Sequence, residues 1–270
     1  IDLGSNTTFA QTGLGCESDY YLYVWAYNNC EYSDVTILTQ KTDACFSLCG
    51  DYMKDNRDNN KYETVKIGNQ CWMKENLKYL PSVNDASTGS PSNPSFYVYG
   101  YNGTDVNTAK SHANYLTFGV LYNWAATMAG QASSSSNPSG VQGVCPVSWH
   151  LPSDAEWKQL EMQLGMTQVQ ADATGWRGTD EGGKLKDVGI TYWATPNTGA
   201  TNSSGFTALP CGFRSSASSS FESIYNIIFF WSSTLDGANP WRRSLSYDVQ
   251  TINRFASFVS NGFAVRCIKD

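Results

Sequence analysis

The chain has 270 residues but only two histidines, His112 and His150. Neither stands beside a cysteine, and no two cysteines are spaced Cys-x-x-Cys, so the tight Cys and His groups that zinc prefers are missing. No apolar run approaches the roughly 18 residues needed to cross a bilayer, and Ile1 follows no charged n-region or apolar h-region. The sequence therefore reads as a soluble fragment of something longer, with no direct membrane insertion. Positive charge is also short. Eighteen basic residues against 24 acidic ones give a net charge of −6. Without a basic face there is no electrostatic footprint for nucleic acid or an anionic membrane. Between Ser215 and Gly262 there is no Lys and no Met, and only Glu222 and Gln250 of their kinds.

Aromatic residues are plentiful: 9 Trp, 16 Tyr and 12 Phe, within an apolar share of 41%. That is ample material for a packed core and argues against disorder. The eight cysteines, Cys16, Cys30, Cys45, Cys49, Cys71, Cys145, Cys211 and Cys267, are even in number and widely spread. This suits disulfides in an oxidising compartment, with buried thiols as the alternative. Asn6, Asn102 and Asn202 open glycosylation-type triplets, which mark exposed turns at most.

From Tyr20 the residues alternate, with Tyr21, Tyr23, Trp25 and Tyr27 on one face and Leu22, Val24 and Ala26 on the other, which predicts a strand. A turn at Asn28-Asn29 and a second strand over 33–40 complete a hairpin resembling the last strands of a fibronectin III or immunoglobulin-like sandwich. Residues 1–44 are thus read as the tail of such a domain, with Cys16 and Cys30 as a staple, and 45–60 as a connector. Strands over 62–67 and 71–77 meet at Gly68-Asn69, good hairpin chemistry. A long loop over 81–113 follows. Phe118, Leu121, Trp124, Ala125 and Met128 recur at helical spacing, predicting a helix that stops at Gly130. Ser153 and Glu156 form a capping box for a second helix, whose Trp157, Leu160 and Leu164 share a stripe. Short strands are expected over 206–210, 229–233, 243–247 and 263–268. Together these elements predict an α+β domain over 61–270.

The blocks Tyr62-Glu-Thr-Val-Lys-Ile-Gly-Asn-Gln-Cys-Trp-Met-Lys-Glu-Asn-Leu77, Tyr122 to Ala126, Gly143 to Trp157, Phe230 to Thr234 and Gly262 to Asp270 occur in order over about residues 50–270. In them the chain resembles the Fibrobacter succinogenes major paralogous domain. The resemblance implies a C-type-lectin-like fold, related in architecture to formylglycine-generating enzymes, on surface proteins of Bacteroidetes. It also implies a disulfide between Cys145 and Cys267, while Cys71 and Cys211, which look like additions to the pattern, would make a second pair. Family members are targets of diversity-generating retroelements, which alter Asn codons near the C-terminus. The slots before two fixed blocks hold Ile224 to Phe229 and Phe255 to Asn261 here, a pattern suited to a diversified binding face within 220–262.

On this reading Tyr225, Ile227, Ile228, Phe229, Leu235, Trp241, Phe255 and Phe258 would form an exposed apolar patch. Arg242 or Arg243 would stand beside it, and Ser244, Ser246 and Asn253 would add adaptable hydrogen bonds. Phe230, Trp231, Leu245, Phe263 and Val265, which lie in the family blocks, are assigned to the core, as are Trp72, Trp124, Trp149 and Trp157. Catalysis finds little footing: Ser153 beside His150 and Asp154 is already a helix cap, and Cys211 and Cys267 are better placed in disulfides than as an oxidase pair. The stretch Asp55 to Asp58 lacks the Gly and Glu of an EF-hand loop and reads as a solvated acidic turn. Glu-Pro-Asn and Gln-Pro-Asp, the sugar-binding tripeptides of calcium-dependent lectins, do not occur.

The expectation is a non-enzymatic adhesin or receptor-binding module without a cofactor, facing a protein or glycan receptor. It would act at a bacterial surface, on a pilus or on a phage particle, attached to a longer protein. The competing expectations are a structural subunit of such an assembly and a degenerate enzyme of the formylglycine-generating type.

Overall fold

A computed structural model describes residues 19–28, 30–41 and 49–270. The chain divides into two units, residues 1–48 and 49–270. In the first, Asp19–Val24 (β1) pairs antiparallel with Thr36–Lys41 (β2), Tyr21 opposite Thr39 and Tyr23 opposite Ile37. The rings of Tyr27 and Tyr32 lie 5.9 Å apart across a further bridge. Both faces of this ribbon are open, with Tyr23 and Leu22 about equally exposed, and among the described residues of this unit no second layer packs on it. Residues 1–18, with Cys16, and residues 42–48, with Cys45, lie outside the described residues. Cys30 is an exposed free thiol, and the expected staple to Cys16 falls outside the described residues.

The second unit runs Tyr52–Lys54 (β3), Lys61–Ile67 (β4), Gln70–Met73 (β5), Phe96–Tyr97 (β6), Val106–Lys110 (α1), Ala113–Phe118 (α2), Leu121–Tyr122 (β7), Trp124–Met128 (α3), Trp149–His150 (β8), Asp154–Gln163 (α4), Gln168–Asp172 (α5), Gly175–Arg177 (β9), Glu181–Leu185 (α6), Phe213–Ser215 (β10), Ser220–Glu222 (β11), Ile227–Asp236 (β12), Asn239–Ser246 (β13), Ile252–Ala256 (β14) and Ile268–Lys269 (β15). This is the α+β class. One sheet has the order β3-β4-β5-β15-β8 and the other β12-β13-β14-β9, with two-stranded ribbons β6-β7 and β10-β11 beside them. Gly68 takes a left-handed φ of +60° in the predicted tight turn between β4 and β5.

Several expectations are corrected. Residues 49–60 are no mere connector, since β3 pairs with β4. The predicted helix through Phe118 and Met128 is broken into α2, β7 and α3. Gly119 turns the chain at φ +79°, pressed so close to the Leu77 carbonyl that a Cβ would lie 2.9 Å from it. Asn123 then caps α3 by accepting from Ala126 N–H. The helical spacing of these residues runs across three separate elements. Residues 206–210 form only an isolated bridge, Lys186 to Ala208, and in 263–268 only Ile268 enters a strand. Asp55 is not a solvated acid: it is fully buried and held by Arg57 at 2.6–3.2 Å.

Cys145 and Cys267 form the implied disulfide. Cys71 pairs with Cys49, not Cys211; Gly50 N–H, next to Cys49, donates to Thr64 Oγ1 of β4, the strand that pairs with β5. Cys211 is left as a buried thiol, its pKa pushed up to about 12 by burial.

The core joins both sheets to α4. Trp72 of β5, Trp157 of α4 and Phe230 of β12 are at most 1% exposed and stack in sequence, with ring centres 4.8 and 5.4 Å apart. Trp149, Trp231, Leu245, Phe263 and Val265 are also buried, whereas Trp124 is only half-buried, its indole donating to the Ser232 carbonyl. The capping box of Ser153 and Glu156 opens α4 as predicted.

Beside the aromatic core, α4 meets the second sheet through buried charge. Asp154 accepts from Arg243 at 2.8 Å and from Arg254 at 2.8 and 2.9 Å, while Glu161, two turns further along the same face of α4, takes Arg243 and Arg177, each at 2.5 Å. Burial opposes the charge of Asp154, but Arg254 and Arg243 outweigh it and hold its carboxyl well below the usual range. Removing one partner of such a network strands the others. Asp154→Asn is therefore expected to cost about 3–5 kcal/mol in urea unfolding, whereas Asp172→Asn at the exposed rim should cost less than about 1 kcal/mol.

His150 is buried between Glu156, 2.7 Å from Nε2, and Asp270, 2.6 Å from Nδ1. Burial disfavours its charge, yet the two carboxylates prevail and its pKa is raised. A raised folded-state pKa gives stability that is complete below the ordinary histidine value and fades as pH climbs through the folded one. The stability gap between the natural chain and His150→Asn should accordingly narrow as the pH rises above the ordinary histidine value of about 6.5; a constant gap would show that His150 carries no charge there.

Candidate functional site

The sheet β12-β13-β14-β9 has two unlike faces. Strand alternation places Ile228, Phe230, Arg243, Leu245, Ile252, Arg254 and Arg177 toward α4 and the core. Antiparallel pairing of Phe229 with Ser244, Ser244 with Asn253 and Asn253 with Trp176 makes one row across the outer face. Trp231, Arg242 and Phe255 make the next row.

Cover over this outer face changes from strand to strand. At β12 it is sealed. Phe229 stacks on Phe263 at 4.7 Å and meets Phe213 edge-on at 4.9 Å, while Trp231 lies 4.3 Å from Phe263 and its indole donates to the Tyr122 carbonyl. Toward β14 and β9 the cover ends. Phe255 is 54% exposed and Trp176 46%, with Asn253 and Arg242 partly buried between them. The loop after β14 is pinned by Ser257 N–H to the Pro240 carbonyl and by Trp124 N–H to the Val259 carbonyl, and it carries Phe258 at 66% exposure.

Arg242 sits at the boundary. Its guanidinium lies 4.4 Å over the Phe229 ring and 6.0 Å from Phe255. Nε donates to Ser257 Oγ at 2.7 Å, and Nη1 to Ser244 Oγ at 2.9 Å and Asn253 Oδ1 at 3.3 Å. Burial lowers its pKa to about 10.

The patch expected from the sequence is thus dispersed. Phe255, Arg242 and Asn253 come together at the open end of the outer face, and Phe258 is exposed on the loop that follows β14. Ile227 lies on that face at its far corner and is half-buried. Ile228, Phe229, Ser244 and Ser246 are buried, contrary to expectation, because β12 is covered on both sides. Ser246 is engaged with Asp248. Trp241 points to the opposite face, where the Arg254 guanidinium lies 3.6 Å over its ring. Leu235 is partly buried at the hairpin end opposite Pro240. Tyr225, at φ +69°, belongs to a separate exposed spot, packing with Tyr192 around Phe118. Arg243 is wholly engaged beneath the sheet. Trp176 and Ser257 were missed: a three-residue strand gives no period to read, and Ser257 joins the site through loop geometry.

Chemistry for catalysis is sparse. The His150 ring is occupied at both nitrogens, and Ser153 caps α4. Among the described residues no group of three or more His, Cys, Asp or Glu is arranged to hold a metal ion. No helix among them is long and apolar enough to cross a membrane. A shallow depression on the ribbon of the first unit, lined by Tyr23, Trp25, Tyr32, Ser33 and Val35, assembles no acid–base pair.

The sequence model of the Fibrobacter succinogenes major domain matches residues 65–269, the greater part of the chain. No curated protein and no solved structure matches it.

The division of the outer face is open to measurement. Phe229→Ala should cost about 3–5 kcal/mol of unfolding free energy, and Phe255→Ala no more than about 0.5 kcal/mol. Equal losses in denaturant titrations would mean that Phe255 is a core residue.

Proposed function

We propose a binding role for this chain, which belongs to the Fibrobacter succinogenes major domain family. The second unit acts as a non-enzymatic adhesin or receptor-binding module with a C-type-lectin-like architecture, displayed at a bacterial surface, on a pilus or on a phage particle. Its ligand contacts lie on the outer face at β14, β9 and the following loop. The observation that carries this reading is the coexistence of Phe255, Phe258 and Trp176, all about half exposed or more, on a sheet whose other face is locked by core and ion network. Large aromatic side chains held bare on a rigid platform cost solubility and gain contact area on binding. The disulfides Cys49–Cys71 and Cys145–Cys267 are compatible with an oxidising, extracellular setting.

The composition of residues 215–262, with hydrophobes in slots that family members fill with polar residues, supports diversification and selection of this segment. Buried positions such as Ile228 and Phe229 would then be constrained by packing, and Phe255 and Phe258 by the ligand. An enzyme of the formylglycine-generating type needs a reactive thiolate. The buried Cys211, with its pKa near 12, is a poor one.

A second reading, a structural subunit of a surface assembly, is favoured by a different observation. The ribbon of the first unit leaves Tyr21, Tyr23, Trp25 and Tyr27 half exposed or more. Size-exclusion chromatography separates the two, since a subunit contact through the ribbon predicts concentration-dependent association. For the binding role, fluorescently labelled protein should stain target cells or mucin-coated beads. Phe255→Ala/Phe258→Ala should abolish the staining while shifting Tm by only a few degrees; undiminished staining would remove the proposed face.

A further inference from the structure

We infer that the open end of the outer face binds a carboxylate-bearing sugar, a uronic- or sialic-type residue of an acidic glycan, with its carboxylate on Arg242. This rests on the binding role above and names the class of ligand.

The argument begins with how the chain uses its seven arginines. Arg57, Arg177, Arg243 and Arg254 each meet a carboxylate. Arg214 and Arg266 are buried and donate to backbone carbonyls, Arg266 also to Asn76. Arg242 differs from the first four in meeting no carboxylate, and from Arg214 and Arg266 in being only partly buried. Its chain partners are two hydroxyls and one amide oxygen, all neutral, and its Nη2 donates to nothing among the described residues. That nitrogen is not sealed in the interior either, so it can reach a ligand. Desolvation is the sole influence on its titration, with no neighbouring carboxylate to offset it. A guanidinium held out of water without a counter-charge is the place where an external anion gains most, and its planar fork suits a carboxylate.

Asn253 extends the same preference. Its Oδ1 accepts from Arg242, which leaves the Nδ2 amino group without an acceptor among the described residues. Two unsatisfied donors side by side call for an acceptor-rich, negatively charged ligand.

The aromatic frame selects a sugar over an acidic peptide. Trp176 stands directly opposite Asn253, and Phe255 directly opposite Arg242. With strands about 4.8 Å apart and same-face residues about 6.8 Å apart along a strand, the patch from Trp176 to Arg242 measures roughly 10 by 7 Å. That is the footprint of one or two pyranose rings. A pyranose can lay its C–H face on an exposed ring while its polar edge meets Asn253 and its carboxylate meets Arg242.

The test is calorimetric titration with two matched pairs of probes. One is sialyllactose against lactose, the other trigalacturonate against its carboxyl-reduced trimer. The natural protein should bind at least one acidic member, and the neutral counterpart roughly ten- to hundredfold more weakly. Arg242→Gln should lose a similar factor with Tm unchanged, and Arg242→Lys, which keeps the charge but not the fork, should recover only part of it. Binding to poly-glutamate but to neither acidic sugar would overturn the sugar assignment and leave Arg242 as a peptide site. Failure to bind any acidic probe, or acidic-sugar binding that survives Arg242→Gln, would overturn the inference. Cell staining that persists in Arg242→Gln but vanishes in Phe255→Ala/Phe258→Ala would do so while leaving the binding role standing. Staining indifferent to all three substitutions would end both.

Discussion

The lattice of Arg243, Arg254 and Arg177 against Asp154 and Glu161 fixes where the second sheet sits. A helix packed on a sheet by apolar contact alone can slide by a residue with modest loss. Charged groups in fixed, near-linear hydrogen bonds cannot, because each displacement leaves a buried charge without a partner. Asp154 occupies the first turn of α4, and Glu161 lies two turns along the same face. The two together set both the position and the direction of the helix relative to β13, β14 and β9. The inner face is thereby committed, and by the two-residue alternation of strands so is the identity of every side chain on the outer face. Arg242 points outward because Arg243 must point inward.

Such a lattice is costly to assemble and adds little net stability compared with a well-packed apolar core. Its value here is specificity of register. The β12–β13 pair carries a bulge between Trp231 and Leu235, so residues on the two sides of that irregularity could otherwise pair in more than one way. The aromatic stack of Trp72, Trp157 and Phe230 supplies the apolar burial, and the ionic lattice selects one alignment for it.

The sequence carried the α+β class, the capping box of α4, the β4–β5 turn and most of the buried tryptophans, since each leaves a local signature. Ser153 and Glu156 are three residues apart, and Gly68-Asn69 is a turn by its own chemistry. What was illegible depended on partners distant in the chain. Ile228 and Phe229 are adjacent and both buried, which alternation cannot anticipate, because β10, β11 and the segment around Phe263 cover the outer side of β12. The break of the expected helix at Gly119 depends on a carbonyl of residue 77. Cys49 was separated from Cys71 by a presumed connector that proved to be part of the sheet. Phe255 and Phe258 were expected to be exposed and are, whereas Trp176, nearly eighty residues earlier, reaches the face of Phe255 only through the pairing of β9 with β14.

The two disulfides also define a route for mechanical load. Tension entering the second unit at Cys49 passes through the sulfur bridge to Cys71 and bypasses β3 and β4. Strand β15 lies directly against β5 in the same sheet, and Cys267, just before it, is bridged to Cys145. A pull between residues 49 and 267 therefore falls on a short, covalently reinforced segment of one sheet. The sheet bearing Trp176, Arg242 and Phe255 stands outside that path. On the proposed binding role, a module built in this way would bear load while its ligand-contacting surface stays undeformed.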